Sequence, residues 1–185
     1  MGLRIACTGA SGTGKTTIMS FIQHRFLLEQ VPIGSRSIAK AMGFDSPYDV
    51  DQAGKRGEFQ RRLVTEKMAW EAEHQQFVTD RTVFDNLVYT ILHGVRSIDE
   101  KLLDAIVSGM KRYTHIFFCP VDTFCNLEDD PHRIQDLTYQ RIYEAVLEGV
   151  LDRWTPALPT LHWMYSPSLE RRTERICEIL KGSCL

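Results

Sequence analysis

A three-layer α/β domain with about five parallel strands is the fold class this sequence predicts. Strand-like and helix-like stretches alternate from end to end, and a glycine-rich turn joins the first strand to the first helix. The size agrees: 185 residues, 43% hydrophobic and 25% charged, suit one domain over residues 1–185 with a sizeable core.

Each element has its own signal. Leu3 to Thr8 is short and almost continuously apolar, as a parallel strand covered on both faces should be. Ile18, Phe21, Ile22 and Phe26 then follow helical spacing, which predicts a helix from near Gly14 to about Leu28. A weaker strand is expected at Val31 to Ile33, and a short helix capped by Ser35 and closed by Gly43. Gly57 to His74 is polar and rich in helix formers. Phe77 to Asp80 reads as a strand, followed by an apolar-striped helix over Val83 to Leu92 that Gly94 ends. Ser97 with Glu100 forms a capping box ahead of a second striped helix through Met110. His115 to Cys119 is the most apolar strand candidate, and a helix is expected over Leu137 to Trp154. A strand over Thr160 to Tyr165 and a helix opened by Ser166 and Pro167 and stopped by Gly182 complete the alternation.

Composition excludes several classes. A formal net charge of −2 argues against the basic face that supplies most non-specific nucleic-acid affinity. The cysteines Cys7, Cys119, Cys125, Cys177 and Cys184 are scattered, without CxxC pairs or metal spacing, and read as reduced cytoplasmic thiols. No stretch approaches the roughly 18 apolar residues of a membrane span. The lipidation patterns fail at Ala6 and Gly182. A soluble, unanchored protein of the cytoplasm is expected, as monomer or homodimer, with no membrane partner.

Gly9-Ala10-Ser11-Gly12-Thr13-Gly14-Lys15-Thr16 satisfies G-x-x-x-x-G-K-[ST] in the strand-to-helix setting that gives the motif its meaning. Such a loop turns successive backbone N–H groups toward phosphate oxygens, and the helix N-terminus adds partial positive charge. The predicted fold is therefore the P-loop NTPase fold, with ATP and Mg²⁺ as cofactors. Candidate triphosphate contacts are Gly9, Ser11, Gly12, Thr13, Gly14, Lys15, Thr16 and Thr17. Lys15 is expected to reach the β- and γ-phosphates, and the Thr16 hydroxyl to ligate Mg²⁺.

Motors and switches need parts this chain lacks. There is no Asp-Glu pair ending a second acidic strand, as in oligomeric AAA ATPases, and no [NT]-K-x-D for guanine. The segment Phe77 to Tyr89, FVTDRTVFDNLVY, instead resembles the strand-then-Asp-Arg segment of thymidylate, deoxynucleoside and nicotinamide riboside kinases. Its nearest likeness is an AAA-type kinase family with many bacteriophage members, whose fold is like that of nucleoside monophosphate kinases. The resemblance implies a kinase. Asp80 would end the strand beside the P-loop strand and point toward Mg²⁺ or the acceptor hydroxyl, and Arg81 would sit beside the acceptor or the phosphates. A carboxylate at the carboxyl edge of a parallel sheet faces the ligand crevice on physical grounds alone.

Glu128 to Asp136, EDDPHRIQD, is similar to the D-G-x-R lid segment of the same kinases, with Pro131 where they carry glycine. This places a lid at about residues 121–137, with Arg133 as its phosphate-clamping arginine and Arg141 in reserve. Ser35 to Phe44 resembles their acceptor-contacting E-x-x-R stretch; Arg36 fits, while Ile33 stands in the acidic position. Phe59, Gln60, Arg62 and Trp70 are candidates for the acceptor wall, and for the core. His74, His93 and His162 read as structural.

The expected activity is ATP- and Mg²⁺-dependent phosphoryl transfer to a nucleoside or nucleotide, catalysed by Lys15, Asp80, Arg81 and Arg133, with Arg36, Phe59 and Arg62 toward the substrate. Two alternatives remain at this stage. One is a hydroxyl on nucleic acid as acceptor, either a 5′ end or a hydroxymethylated pyrimidine of phage DNA in a host cytoplasm. The other is a regulatory ATP-binding module.

Overall fold

The structure is a computed structural model that describes residues 2–93, 99–126, 136–154 and 160–181. Its strands are β1 (Arg4–Thr8), β2 (Glu29–Gln30), β3 (Phe77–Asp80), β4 (His115–Phe118) and β5 (Thr160–Trp163). They form one 5-stranded sheet in the order β2-β3-β1-β4-β5. Every neighbouring pair is parallel, as expected when each strand is followed by a helix.

The helices are α1 (Lys15–Phe26), α2 (Ser35–Ala41), α3 (Pro47–Gln52), α4 (Arg56–Glu73), α5 (Val83–Leu92), α6 (Glu100–Met110), α7 (Leu137–Trp154) and α8 (Leu169–Lys181). Strand pleating sends neighbouring side chains to opposite faces and so creates two cores. Ile5, Cys7, Val78 and Phe117 pack with Ile18 and Ile22 of α1 and Ile176 and Leu180 of α8. Ala6, Phe77, Ile116 and Phe118 pack on the other face with Phe84 and Val88 of α5, Ile106 of α6, and Tyr143 and Leu147 of α7. A satellite core of Ile38, Ala39, Val50, Phe59 and Leu63 joins α2, α3 and α4. Among the described residues no helix is long and apolar enough to cross a membrane.

Several boundaries differ from the sequence expectation. The second strand lies at Glu29–Gln30, not Val31–Ile33. Val31 N still donates to Val78 O at 3.0 Å, but Pro32 has no N–H to carry the ladder on. The N-cap of α2 is Gly34 rather than Ser35, with Gly34 N donating to Ser37 Oγ at 2.9 Å. Asp99, not Ser97, caps α6, its Oδ1 accepting from Leu102 N at 2.8 Å. Ser97 and Gly94 themselves lie outside the described residues, as does Gly182. The helix α3 was not anticipated, although Ser46-Pro47-x-Asp49 carries its capping box: Ser46 N donates to Asp49 Oδ2 at 2.8 Å and Asp49 N to Ser46 Oγ at 3.3 Å.

Candidate active site

The loop between β1 and α1 is held from outside by its carbonyls. Gly9 O accepts from Arg81 Nη1 at 3.3 Å, and Ala10 O from Thr13 Oγ1 at 3.0 Å and from Lys15 Nζ. Ser11 O accepts from Cys125 Sγ at 3.6 Å, Gly12 O from Asn126 N at 2.9 Å, and Thr13 O from Arg172 Nη1 at 2.8 Å. In a trans peptide the N–H points away from the preceding C=O, so the outward carbonyls of Ser11, Gly12 and Thr13 turn the amides of Gly12, Thr13 and Gly14 inward. Ala10 O instead faces Lys15, and the Ser11 N–H that follows it donates away from the loop, to Gln140 Oε1 at 2.9 Å. The glycines are required for this close fit. A Cβ on Gly9 would stand 2.5 Å from Cys119 O, and one on Gly12 2.5 Å from Asn126 O, with both residues at positive φ (129° and 80°).

Lys15 is 5% exposed and folds back over the loop, with Thr13 Oγ1 at 3.4 Å from Nζ as its second acceptor. Burial pulls its pKa down to about 8, and the Arg81 guanidinium pulls in the same direction; Asp80 opposes both. The register Cys7↔Asp80 sets Asp80 at the carboxyl edge, beside the loop. Thr16 Oγ1 donates to Asp80 Oδ2 at 2.8 Å, while Asp80 Oδ1 is buried with no hydrogen-bond partner among the described residues. A hydroxyl, a carboxylate and an unspent carboxylate oxygen are the hard donors Mg²⁺ takes, alongside phosphate and water. Among the described residues no cluster of three or more His, Cys, Asp and Glu could hold a metal. A metal bound chiefly through phosphate and water needs none.

Arg81 follows in a left-handed conformation, φ 78°. That is a strained setting for a long side chain, and the surroundings impose it. Its N–H donates to Cys7 O at 2.8 Å, and its C=O accepts from Lys67 Nζ at 2.8 Å. Lys67 is a buried cation on α4, 3.6 Å from Glu71, whose carboxylate accepts from Tyr113 OH at 3.0 Å. The turn throws the guanidinium across to the back of the phosphate loop, onto Gly9 O and to Ser11 Oγ at 3.2 Å. Asp85, fully buried, gathers the rest: it accepts from Thr8 Oγ1 at 2.6 Å, Thr82 N at 2.7 Å, Tyr143 OH at 2.7 Å and Arg81 Nη1 at 3.3 Å. Arg81 is thereby a strut between β3, the loop and α7.

Residues 4–162 match the AAA domain family. This chain belongs to that family. No curated protein sequence matches it. Solved structures share its fold at low identity. Deoxyadenosine kinase from M. mycoides with bound dATP superposes with a TM-score of 0.64 at 13% identity over 97% of this chain and 99% of that one. Thymidylate kinase from Candida albicans gives 0.61 at 15% identity over 98% and 92%. Shikimate kinase from Aquifex aeolicus gives 0.59 at 16% identity over 99% of each. The fold is that of the P-loop kinases, and in this AAA domain β3 ends at Asp80, with Arg81 the next residue.

The other anticipated residues of this AAA domain are differently placed. Thr17 is exposed on α1, and Arg36 is exposed on α2. Phe59 is not on an acceptor wall: at 1% exposure it fills the satellite core, because its i+4 neighbour Leu63 faces the same way. Gln60 is buried at 4%, and Arg62 pairs with Glu66 at 2.5 Å and reaches Ala41 O at 3.3 Å. Trp70 stacks on His74, ring centroids 3.6 Å apart. Arg133 lies outside the described residues, and the reserve residue Arg141 pairs with Asp122 at 3.1 Å on the surface.

What approaches the Asp80–Arg81 corner was not foreseen. Arg81 lies over Tyr89, 4.9 Å from the ring centroid, and Tyr89 packs on Tyr143 at 4.8 Å. His93, which caps the end of α5, stacks on Tyr89, and Arg56 Nη2 donates to its Nε2 at 2.8 Å while pairing with Asp51 at 3.1 Å. Burial and then Arg56 lower the His93 pKa, which keeps that ring a neutral acceptor. Tyr139 OH stands 3.5 Å from the same nitrogen. The i, i+4 pairs Tyr89/His93 and Tyr139/Tyr143 were visible in the sequence as aromatic stripes; Arg56 gave no signal.

Proposed function

We propose that this AAA domain is an ATP- and Mg²⁺-dependent phosphotransferase acting on a nucleoside or nucleotide. One observation carries the reading: the Thr16 hydroxyl meets Asp80 Oδ2 at 2.8 Å at the mouth of an inward-facing amide loop, leaving Asp80 Oδ1 unspent. Phosphoryl transfer through a loose transition state needs positioning and charge stabilisation more than bond-making by the protein. The loop amides bind the polyphosphate, and Lys15 leaves Ala10 O for the transferring group. Thr16 and Asp80 would hold Mg²⁺, which would supply charge neutralisation on the phosphates. Asp80 serves as the metal-organising carboxylate, and Arg81 holds the loop in shape. The wall of Arg56, Tyr89, His93 and Tyr139 offers aromatic faces and a guanidinium to the acceptor, which suits a base and a sugar or phosphate. The deoxyadenosine and thymidylate kinases of like fold support that acceptor class. The described cysteines Cys7, Cys119, Cys125 and Cys177 are free thiols, in keeping with a cytoplasmic site of action.

The test is a panel of nucleosides and nucleoside monophosphates, with shikimate alongside, incubated with γ-labelled ATP and Mg²⁺. Label is expected on at least one nucleoside or nucleotide. Label on shikimate alone would move the acceptor class, and label on nothing would overturn the reading.

A further inference from the structure

Arg172 is the least expected contact of the phosphate loop. It comes from α8, far along the chain, and is 3% exposed. Its Nη1 donates to Thr13 O at 2.8 Å, its Nε donates to Ser166 O, and its Cζ lies 5.7 Å from the Phe124 ring. Nη2 is buried with no hydrogen-bond partner among the described residues, and no described carboxylate pairs with the guanidinium. A buried cation without a counter-anion is costly, so its hydrogen bond to Thr13 O carries weight.

Geometry says what Arg172 does for the loop. With Thr13 O drawn toward Arg172, the rigid trans peptide turns Gly14 N–H to the opposite side, into the loop. Among the described residues the amides of Gly12, Thr13 and Gly14 make no hydrogen bond. Resting on the phosphotransferase reading above, we propose that Arg172 is a positioning residue: it locks the Thr13–Gly14 peptide so that Gly14 N–H faces the polyphosphate. The C-terminal helix is then part of the nucleotide site. Its other contacts, Ile176 and Leu180, serve only the core.

The experiment compares wild type with Arg172→Met and Arg172→Lys by calorimetry, titrating MgATP, inorganic tripolyphosphate and adenosine, with thermal melts as the folding control. Losing one charge-assisted hydrogen bond should weaken MgATP and tripolyphosphate binding by roughly ten- to a hundredfold in Arg172→Met, with adenosine unchanged. Arg172→Lys keeps the charge but reaches only one of the two carbonyls, so it should fall between wild type and Arg172→Met. Should Arg172→Met fail to fold, Arg172→Lys decides. Polyphosphate affinity within about twofold of wild type in a folded variant overturns the proposal, as does an equal loss for adenosine, which would make Arg172 a base platform with Phe124. Wild type that binds no MgATP would sink the phosphotransferase reading as well, a result distinct from wild-type binding with an indifferent variant.

Discussion

The glycine-rich loop and the cluster of Arg56, Tyr89, His93 and Tyr139, proposed above as an acceptor wall, both meet Arg81 or its neighbours, yet they are built on different principles. The loop is a backbone object: the carbonyls of Gly9, Ser11, Gly12 and Thr13 are tied outward, to Arg81, Cys125, Asn126 and Arg172, while Ala10 O is held from within by Lys15 and Thr13. The wall is a side-chain object, in which Arg56, Tyr89, His93 and Tyr139 come from α4, α5 and α7. Fixed dipoles stabilise charge without reorganising, whereas a side-chain wall tunes what it accepts. The difference teaches where the proposed function would divide chemistry from specificity.

The sharpest way to break that division is at Asp80. Asp80→Asn keeps a side-chain oxygen for Thr16 but removes the charge, so turnover is expected to fall by roughly a hundred- to a thousandfold with little change in MgATP affinity. Unaltered turnover in steady-state assays would take Asp80 out of the chemistry. Gly12→Ala tests the backbone itself. At φ 80°, with a Cβ 2.5 Å from Asn126 O, the strain alone should cost about 1–3 kcal/mol of stability, read as a lowered urea midpoint, with MgATP binding lost alongside. A variant as stable as wild type would mean that the loop is softer than its tethers suggest.

This contrast also explains what the sequence disclosed. Gly9 to Thr16 is contiguous, and each residue type answers a backbone requirement, so the motif could be read without knowing the fold. Asp80-Arg81 was legible because a short apolar strand ends there. Arg81's partners were not: Ser11, Asp85 and Tyr143 meet only when β1, β3, α5 and α7 are assembled. Lys67 looked like any helix-face cation, yet it is buried to hold Arg81 O. Phe59 was open to two readings, acceptor wall or core, since an aromatic at helical spacing has two candidate faces and only packing puts it in the satellite core. Arg172 sits 159 positions from Thr13, beyond any local pattern.

On the wall side, Arg56→Met should raise the KM for the phosphoryl acceptor by roughly tenfold or more while leaving the KM for ATP near wild type. Arg56 touches His93 and Asp51 but no loop residue, which is why the two constants should separate. If both rise together, the wall and the loop are one mechanical unit and the contrast fails. A melt at matched pH distinguishes this from simple unfolding, because Arg56 also packs on Phe59 at 5.6 Å.

The smallest effect is expected where α7 meets the segment that follows β4. Glu144 Oε2 accepts from Val121 N at 2.7 Å, and burial lifts its pKa from 4.5 to about 7; the Val121 bond lowers it, Glu148 and Asp122 raise it, and Lys15 lowers it. A carboxyl whose folded pKa lies above its unfolded one binds protons more tightly in the native state. Its contribution to stability is whole below about pH 4.5 and is lost as pH rises through about 7. The unfolding midpoint should therefore fall across that window, and Glu144→Gln should flatten the fall. Glu144 is only half-buried, so solvent screening keeps the slope shallow. A midpoint that instead rises between those pH values in wild type, with Glu144→Gln unchanged, would mean that the Val121 hydrogen bond outweighs burial and holds the carboxylate charged.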